Sequence, residues 1–141
     1  RDAMPRLSRF LFGAWPKAYN VKRLAVAETK RTVSAGYCDW KGASHHRAIV
    51  LTENGFSVTD EVGGFKKSAV LRWRLVPGEW CWDGDWLVGS GVRLRVTGTQ
   101  SLKRCELVEG WESRYYSRKT PLPVLEIEVE EAGRLTTELR Y

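Results

Sequence analysis

The stretch that decides the fold runs HHRAIVLTENGFSVTDEV, residues 45–62. Both of its halves are rich in β-branched and aromatic residues, and Asn54-Gly55 between them is a strong signal for a hairpin turn. The stretch therefore predicts two antiparallel strands, at residues 45–52 and 56–62, joined by a tight turn.

The same pattern continues on both sides of this hairpin. Leu71, Trp73 and Leu75 alternate with arginines, as in a strand with one buried and one wet face. Asp83-Gly84 is a second hairpin signal. Further alternating runs predict strands at residues 21–27, 32–40, 92–96, 102–108, 125–129 and 135–141. Strands at this spacing favour an all-β, antiparallel two-sheet β-sandwich of about ten strands, without a helix longer than a turn, over a parallel α/β fold.

Length and composition are those of a globular chain. The 141 residues fit one domain with a real core, so residues 1–141 are expected to form a single β-sandwich domain. No apolar run approaches the roughly 20 residues that span a bilayer. Residues 1–20 are irregular, and their apolar cluster predicts a short strand and a turn at the sandwich edge. The chain opens at Arg1 without an initiator Met or a signal peptide, so we expect a fragment of a longer chain, and the localisation stays open.

The net charge of +6 is unevenly distributed. Residues 1–53 carry ten Lys/Arg and four Asp/Glu, whereas residues 54–141 carry thirteen of each kind. Such an excess indicates a polyanionic partner: an acidic polysaccharide, a nucleic acid or an anionic membrane. The alternatives are an ordinary solvated face, or a face covered by an acidic domain.

Cysteine and histidine give little support to metal or redox chemistry. Cys38, Cys81 and Cys105 contain no CxxC spacing and their number is odd, so we expect buried free thiols, or one disulfide and one thiol in a secreted protein. His45 and His46 are neighbours on a predicted strand and point to opposite faces, so they cannot chelate one metal together. We expect one surface histidine and one packed, hydrogen-bonded histidine.

The aromatic residues are more suggestive, because seven tryptophans are many for this length. Trp73 is expected in the core. Exposed Trp and Tyr beside Arg suit stacking on sugars, although large sandwiches also use Trp to fill their cores. Tyr115-Tyr116, between Arg114 and Arg118, is the best local candidate for a ligand-facing or interdomain patch.

In their order, these segments resemble the C-terminal β-sandwich of heparinase II/III-like polysaccharide lyases. The family pattern has a Gly-Tyr segment, a His-Arg strand, a strand ending in Pro-Gly, an Asp-Gly hairpin and a late Ser, Tyr and Pro segment. The matching residues are Gly36-Tyr37, His46-Arg47, Pro77-Gly78, Asp83-Gly84, Ser113, Tyr116, Pro121 and Pro123. The opening residues 1–4, with Phe12-Gly13-Ala14, resemble the segment after the family's His-Asn-Thr strand.

The resemblance implies a reaction but no catalytic residue in this chain. In such lyases an N-terminal α/α toroid supplies a catalytic Tyr, and the start of the sandwich supplies His residues in a His-Ala-Asp segment, with metal ligands in some members. That segment would lie upstream of Arg1. We therefore assign no catalytic residue, no metal ligand and no cofactor here, and the resemblance allows a divalent metal such as zinc in the parent protein.

The first interpretation is the sandwich portion of a lyase that cleaves uronate-containing polysaccharide by β-elimination. It would support the toroid and be inactive alone. Its expected partners are the acidic polysaccharide and the parent chain's toroid, with no nucleic acid and no membrane, in the periplasm or outside the cell. The predicted substrate-binding residues are Tyr37, Trp40, Arg47, Arg114, Tyr115, Tyr116 and Arg118. The alternatives are a stand-alone carbohydrate-binding module and, on charge alone, a basic β-domain for nucleic acid.

Overall fold

The computed structural model of the chain describes residues 4–9, 11–27 and 29–141. The described residues form eleven β-strands and no helix, which confirms the predicted all-β class. The strands are β1 (Lys17–Ala27), β2 (Lys30–Cys38), β3 (Ser44–Thr52), β4 (Gly55–Gly63), β5 (Ala69–Arg74), β6 (Trp80–Asp83), β7 (Trp86–Gly89), β8 (Val92–Gly98), β9 (Arg104–Glu112), β10 (Thr120–Val129) and β11 (Gly133–Arg140).

The strands form two antiparallel sheets of unequal size. The large sheet has the order β1-β2-β3-β4-β11-β8-β7-β6, and the small sheet has the order β5-β10-β9. The predicted hairpin of residues 45–62 is the β3–β4 pair, with Leu51 opposite Phe56. The Asp83-Gly84 hairpin is the β6–β7 pair. The sequence prediction of a two-sheet antiparallel sandwich is confirmed.

The core lies between the small sheet and one half of the large sheet. Alternate residues of each strand face inward, because side chains of a strand point to opposite faces in turn. The core cluster takes its fully buried members from β7, β8, β10 and β11, and they are Leu87, Leu94, Leu125, Ile127, Val129 and Leu135. None of them belongs to β1, β2 or β3. That end of the large sheet therefore has an inner face that the small sheet leaves open.

Trp73 belongs to the interface between the sheets, as predicted. Its indole Nε1–H donates to Oγ1 of the buried Thr137 at 3.0 Å. Its ring packs against Phe56 of the facing sheet at a centroid distance of 6.4 Å. The side chain thus joins the small sheet to the large one through both an apolar and a polar contact.

Several strands extend beyond their predicted bounds, β1 and β10 among them at their starts. β1 begins at Lys17 rather than at residue 21. β10 begins at Thr120 rather than at residue 125, although Pro121 and Pro123 lie within it. These prolines fit because β5 pairs with β10 only from Val124 onward, so this part of β10 has a ladder partner on one side.

Glu126 of β10 is held between two arginines of the neighbouring strands. Glu126 is 14% exposed and accepts a hydrogen bond from Arg72 on β5, and its other oxygen lies 2.7 Å from Arg104 on β9. The Arg72 hydrogen bond holds the pKa of Glu126 below its usual value, against the opposing effect of burial. The outer face of the small sheet therefore carries a cross-strand ladder of ion pairs.

The cysteines and the N-terminal residues differ from their sequence predictions in two respects. Cys38, Cys81 and Cys105 are free thiols, as expected, but Cys81 is exposed rather than buried. The predicted short strand near the N-terminus is a single antiparallel bridge between Arg6 and Phe12. Phe10, also part of the predicted apolar cluster, lies outside the described residues.

We expect Ile127→Ala to lower the free energy of unfolding by about 3 kcal/mol, because it leaves a cavity in the core. Ile127 is fully buried at the centre of the small sheet. The matched control is Leu24→Ala on β1, where the side chain is 60% exposed, and its expected cost is below about 1 kcal/mol. Urea unfolding of both variants makes the measurement, and equal costs would contradict this assignment of the core.

Candidate functional site

A cleft opens where the small sheet ends and the large sheet continues. Its volume is 690 Å³. One wall is the end of β2 with the β2–β3 turn, and the other is the β4–β5 loop with the first residues of β5. The polar and aromatic side chains that line it include Tyr37, Asp39, Lys41, His45, Lys66, Lys67 and Arg72.

Short-range backbone constraints shape the mouth of this cleft. Oδ1 of Asp39 accepts the backbone N–H groups of Lys41 and Ala43, both at 2.8 Å, which fixes the β2–β3 turn. Gly64 in the opposite loop has a φ of +67°, and a Cβ there would lie 2.0 Å from the carbonyl oxygen of Gly42. The two loops therefore meet at a contact that only glycine allows at position 64.

Positive charge dominates the rim. Lys66 and Lys67 are exposed, and neither forms an ion pair with any residue that the structure describes. The ammonium group of Lys41 lies 4.4 Å from the ring centroid of Trp40. Arg72 is the exception, because Glu126 partly neutralises it. Unpaired ammonium groups around a concave surface favour an anionic ligand.

A buried carboxylate stands behind the cleft wall. Asp60 is fully buried on the inner face of β4, and its Oδ1 lies 2.6 Å from Nε2 of His45. Arg47 donates to both carboxylate oxygens, from Nε at 2.6 Å and from Nη2 at 3.0 Å. The Arg47 guanidinium lies 5.0 Å from the ring centroid of Trp73. The same inner face thus carries a polar network that reaches from the cleft to the interface between the sheets.

The two partners of Asp60 set its protonation state. Burial alone would raise the pKa of Asp60, but the hydrogen bonds from His45 and Arg47, together with their charges, lower it below the usual 3.8. The carboxylate is therefore ionised at neutral pH, and it holds the imidazole of His45 in one orientation.

The two histidines point to opposite faces, as expected from the sequence, and both are half-buried. His45 faces inward, where the ring of Tyr37 meets it edge to face at a centroid distance of 5.7 Å. His46 points to the opposite face and stacks on Tyr19 at 6.1 Å. The packed, hydrogen-bonded histidine is His45, and it brings an imidazole beside a 41% exposed tyrosine at the cleft.

The predicted substrate-binding residues fall into two groups. Tyr37 lines the cleft. Trp40 contacts Lys41, which also lines it. Arg47 lies behind the cleft wall, where it donates a hydrogen bond to Asp60. The other four are in the loop between β9 and β10, and they are Arg114, Tyr115, Tyr116 and Arg118.

The β9–β10 loop is remote from the cleft along the small sheet. In the register of this sheet, the start of β10 lies beyond Arg74, whereas the cleft is at the Ala69 end of β5. Arg114 is paired with Glu112 at 2.9 Å, and Tyr116 is 98% exposed. The structure therefore does not bring the two predicted groups together in one site.

Sequence reasoning missed Lys66, Lys67 and Asp60. A signal for the lysines existed, since they follow the chain-breaking Gly63-Gly64 and such loops border sites. A signal for Asp60 existed too, because it alternates with Val58 and Val62 and so belongs to a buried face.

No group of three or more His, Cys, Asp or Glu side chains within the described ranges is placed to hold a metal ion. His45 is bound to Asp60, and Arg47 occupies the remaining side of that carboxylate. Among the described residues there is also no helix long and apolar enough to cross a membrane.

Solved structures share this fold. A heparinase III gene product matches with a TM-score of 0.75 and 18% identity, over 88% of this chain and 21% of that chain. Heparan sulfate lyase HepC from Pedobacter heparinus matches with a TM-score of 0.68 and 16% identity, again over 88% and 21%. A further heparinase III structure matches with a TM-score of 0.69 over 86% of this chain.

These comparisons confirm the resemblance seen in the sequence at the level of the fold. The chain spans about a fifth of the length of the structures that it matches, 21% in the case of HepC. No protein-family model matches the chain, and no curated protein matches it. The likeness therefore rests on the arrangement of strands and not on close sequence relatives.

Replacing Asp60 by Asn is expected to lower the free energy of unfolding by about 3 kcal/mol, because it removes the charge that compensates Arg47 inside the protein. The matched control is Glu61→Gln on the next position of β4, where the carboxylate is 50% exposed and paired with Arg134. That change should cost less than about 1 kcal/mol. Chemical denaturation of both variants checks the difference, and a cost for Asp60→Asn no greater than the control's would show that the network is not stabilising.

The pH dependence of the unfolding free energy should also show the contribution of Asp60. The pKa of Asp60 is lower in the folded protein than its ordinary 3.8, so the unfolded chain takes up this proton first as the pH falls. The contribution of Asp60 is complete above about pH 4 and is lost below it. The stability difference between wild type and Asp60→Asn should therefore shrink as the pH is lowered from about 5 to about 3. A constant difference over that range in urea unfolding would contradict the assignment.

Proposed function

We propose that this chain is the β-sandwich portion of a heparinase II/III-like lyase that cleaves acidic, uronate-containing polysaccharide by β-elimination. The observation that carries the proposal is the shared fold over 88% of the chain with a heparan sulfate lyase. The basic cleft supports it independently, because its chemistry suits a polyanionic saccharide.

We propose that the base and the acid of this reaction come from outside this chain. In β-elimination a base removes the proton on the carbon next to the uronate carboxylate, and the electron pair forms a carbon–carbon double bond as the glycosidic C–O bond breaks. An acid returns a proton to the leaving oxygen. We assign both steps to the toroid and to the upstream part of the sandwich, and any divalent metal to that same parent protein.

The residues of this chain would bind the polysaccharide and support the catalytic toroid. Lys41, Lys66 and Lys67 would attract carboxylate and sulfate groups, and the exposed Tyr37 would offer a ring to a sugar. Arg47 would act through Asp60 as a positioning residue for His45. Trp40 would border the same surface, since it contacts Lys41.

The β9–β10 loop would form a separate contact surface. Tyr115 and Tyr116 are 69% and 98% exposed, and Arg114 and Arg118 flank them. Exposed aromatic side chains beside arginine are typical of interfaces with proteins and with sugars. We propose this loop as a contact with the toroid of the parent chain or with the polysaccharide.

The lyase proposal is tested on the protein expressed from its complete gene. It is incubated with a panel of acidic polysaccharides that includes heparan sulfate, and the ultraviolet absorbance of the unsaturated uronate product is followed. We expect a rise on at least one uronate-containing polymer, and no rise when the 141-residue chain is used alone.

Either of two results would replace the proposal. If no polymer is cleaved but the chain binds one of them, it is a carbohydrate-binding module that shares the lyase sandwich. If the 141-residue chain cleaves a polymer by itself, the catalytic groups lie within it, and the assignment of chemistry to the rest of the parent is wrong.

The lysines at the rim of the cleft should contribute to the binding of heparan sulfate. Lys66→Ser/Lys67→Ser should weaken binding of heparan sulfate to the chain by roughly two- to thirtyfold at low ionic strength, because each of the two exposed charge pairs contributes about 0.2 to 1 kcal/mol. The matched control is Lys22→Ser/Lys30→Ser, which removes the same charge from exposed positions toward the far end of the β1–β2 hairpin. Isothermal titration calorimetry gives both affinities. Equal weakening by the two pairs would mean that net charge, and not the cleft, governs binding.

A further inference from the structure

The outer face of the large sheet carries a cluster that the cleft does not use. Its centre is Trp86 on β7, and three guanidinium groups surround the indole ring. The distances from the ring centroid to Cζ are 4.7 Å for Arg95, 5.0 Å for Arg93 and 5.2 Å for Arg140. We call these four residues the Trp86 cluster.

Strand register explains why these residues meet. Leu87 pairs with Leu94, so the neighbouring Trp86 and Arg95 lie side by side on the face opposite the core. Arg93 pairs with Arg140 on β11. The alternation that buries Leu94 and Leu139 inside thus places the arginines together outside, and the cluster is built on rigid strands.

The Trp86 cluster holds more positive charge than its neighbours compensate. Glu138 is shared, with Oε2 at 3.1 Å from Arg95 and 3.3 Å from Arg140. Asp83 lies 3.6 Å from Arg93. Three guanidiniums therefore face two carboxylates, and like charges packed around one ring repel one another.

Donor groups are also left over in the cluster. The Nε atom of Arg95 is buried and has no hydrogen-bond partner in the part of the chain that the structure describes. Each guanidinium has five N–H donors, whereas the two carboxylates offer few acceptor oxygens. An oxyanion with several acceptor oxygens would match both the surplus charge and the surplus donors.

Hydroxyl side chains continue the surface from this cluster across the sheet. In the register of β8, β11 and β4, Thr97 pairs with Thr136, and Thr136 pairs with Thr59. Ser57 lies opposite Glu138 on the same face. A strip of short hydroxyl side chains beside an aromatic ring and arginines suits the hydroxyl and acidic groups of a sugar chain.

We propose that the Trp86 cluster is a second binding site for an acidic saccharide, in which the arginines hold a sulfate or carboxylate group and the hydroxyl strip accommodates the neighbouring sugar. The choice of a saccharide ligand rests on the proposed function. The site itself does not, because it lies on the face of the sheet opposite the cleft and contains none of its residues.

The test uses the indole N–H resonance of Trp86 in the ¹H–¹⁵N spectrum of the 141-residue chain, assigned by its loss in Trp86→Phe. A sulfated heparin tetrasaccharide is the probe, and the titration is done at low ionic strength. We expect a saturable shift of this resonance. Arg93→Gln/Arg140→Gln should weaken the apparent affinity about tenfold, as befits two lost charge-assisted contacts.

Three comparisons make the result specific. Arg31→Gln/Arg74→Gln, which removes two exposed arginines elsewhere, should leave the Trp86 titration unchanged. Lys66→Ser/Lys67→Ser should also leave it unchanged, so the failure of the cleft proposal and the failure of this one are distinguishable. A desulfated, carboxyl-reduced tetrasaccharide should produce no shift.

Defined outcomes would overturn the proposal. One is the absence of a saturable shift of the Trp86 resonance in a protein whose spectrum is otherwise well dispersed, which would leave the cluster as a docking surface for an acidic protein at most. Another is an equal loss of affinity in Arg31→Gln/Arg74→Gln. A third is inorganic sulfate binding as tightly as the tetrasaccharide, which would make the cluster a simple anion site.

Discussion

The buried carboxylate of Asp60 is the interaction on which the rest of this sandwich depends. It joins β3 to β4 through His45 and Arg47, and Arg47 continues across the interface to the ring of Trp73 on the small sheet. Trp73 then donates to Thr137 on β11. Four strands from two sheets are thus tied by one chain of polar contacts. A hydrophobic core alone accepts several registers, whereas a buried charge is satisfied in one arrangement only, so this network specifies how the sheets face each other.

Because the two sheets are of unequal size, one end of that network lies at the cleft. Three strands cannot cover eight, and the inner face of the large sheet at β1 to β3 extends past the small sheet. The cleft lies where that cover ends. The buried Asp60 therefore supports the fold, while its partner His45 lines the cleft at the boundary. Support of the fold and presentation of the site come from the same side chains.

Much of this fold follows from local pattern. The turns at Asn54-Gly55 and Asp83-Gly84, together with period-two alternation, predict both hairpins and the inward side of β5 and β8. The residues at which strands begin and end are less predictable. The extension of β10 through Pro121 and Pro123, for example, depends on which neighbouring strand pairs with it.

The candidate site was harder to predict because its walls are distant in sequence. Lys41 and Lys66 belong to two loops that meet only once β3 and β4 pair. The aromatic and basic loop at Tyr115 and Tyr116 is prominent in the sequence, but strand register places it at the other end of the small sheet. Composition indicates which side chains are available for binding, whereas register decides which of them share a surface.

The contact between Gly64 and the carbonyl oxygen of Gly42 sets how closely the β4–β5 loop approaches the β2–β3 turn. Because the two backbones already touch there, side-chain substitution at position 64 cannot bring the loops closer, and any added atom forces them apart. The identity of residue 64 can therefore only widen the gap between these two loops, and glycine keeps that gap at its narrowest.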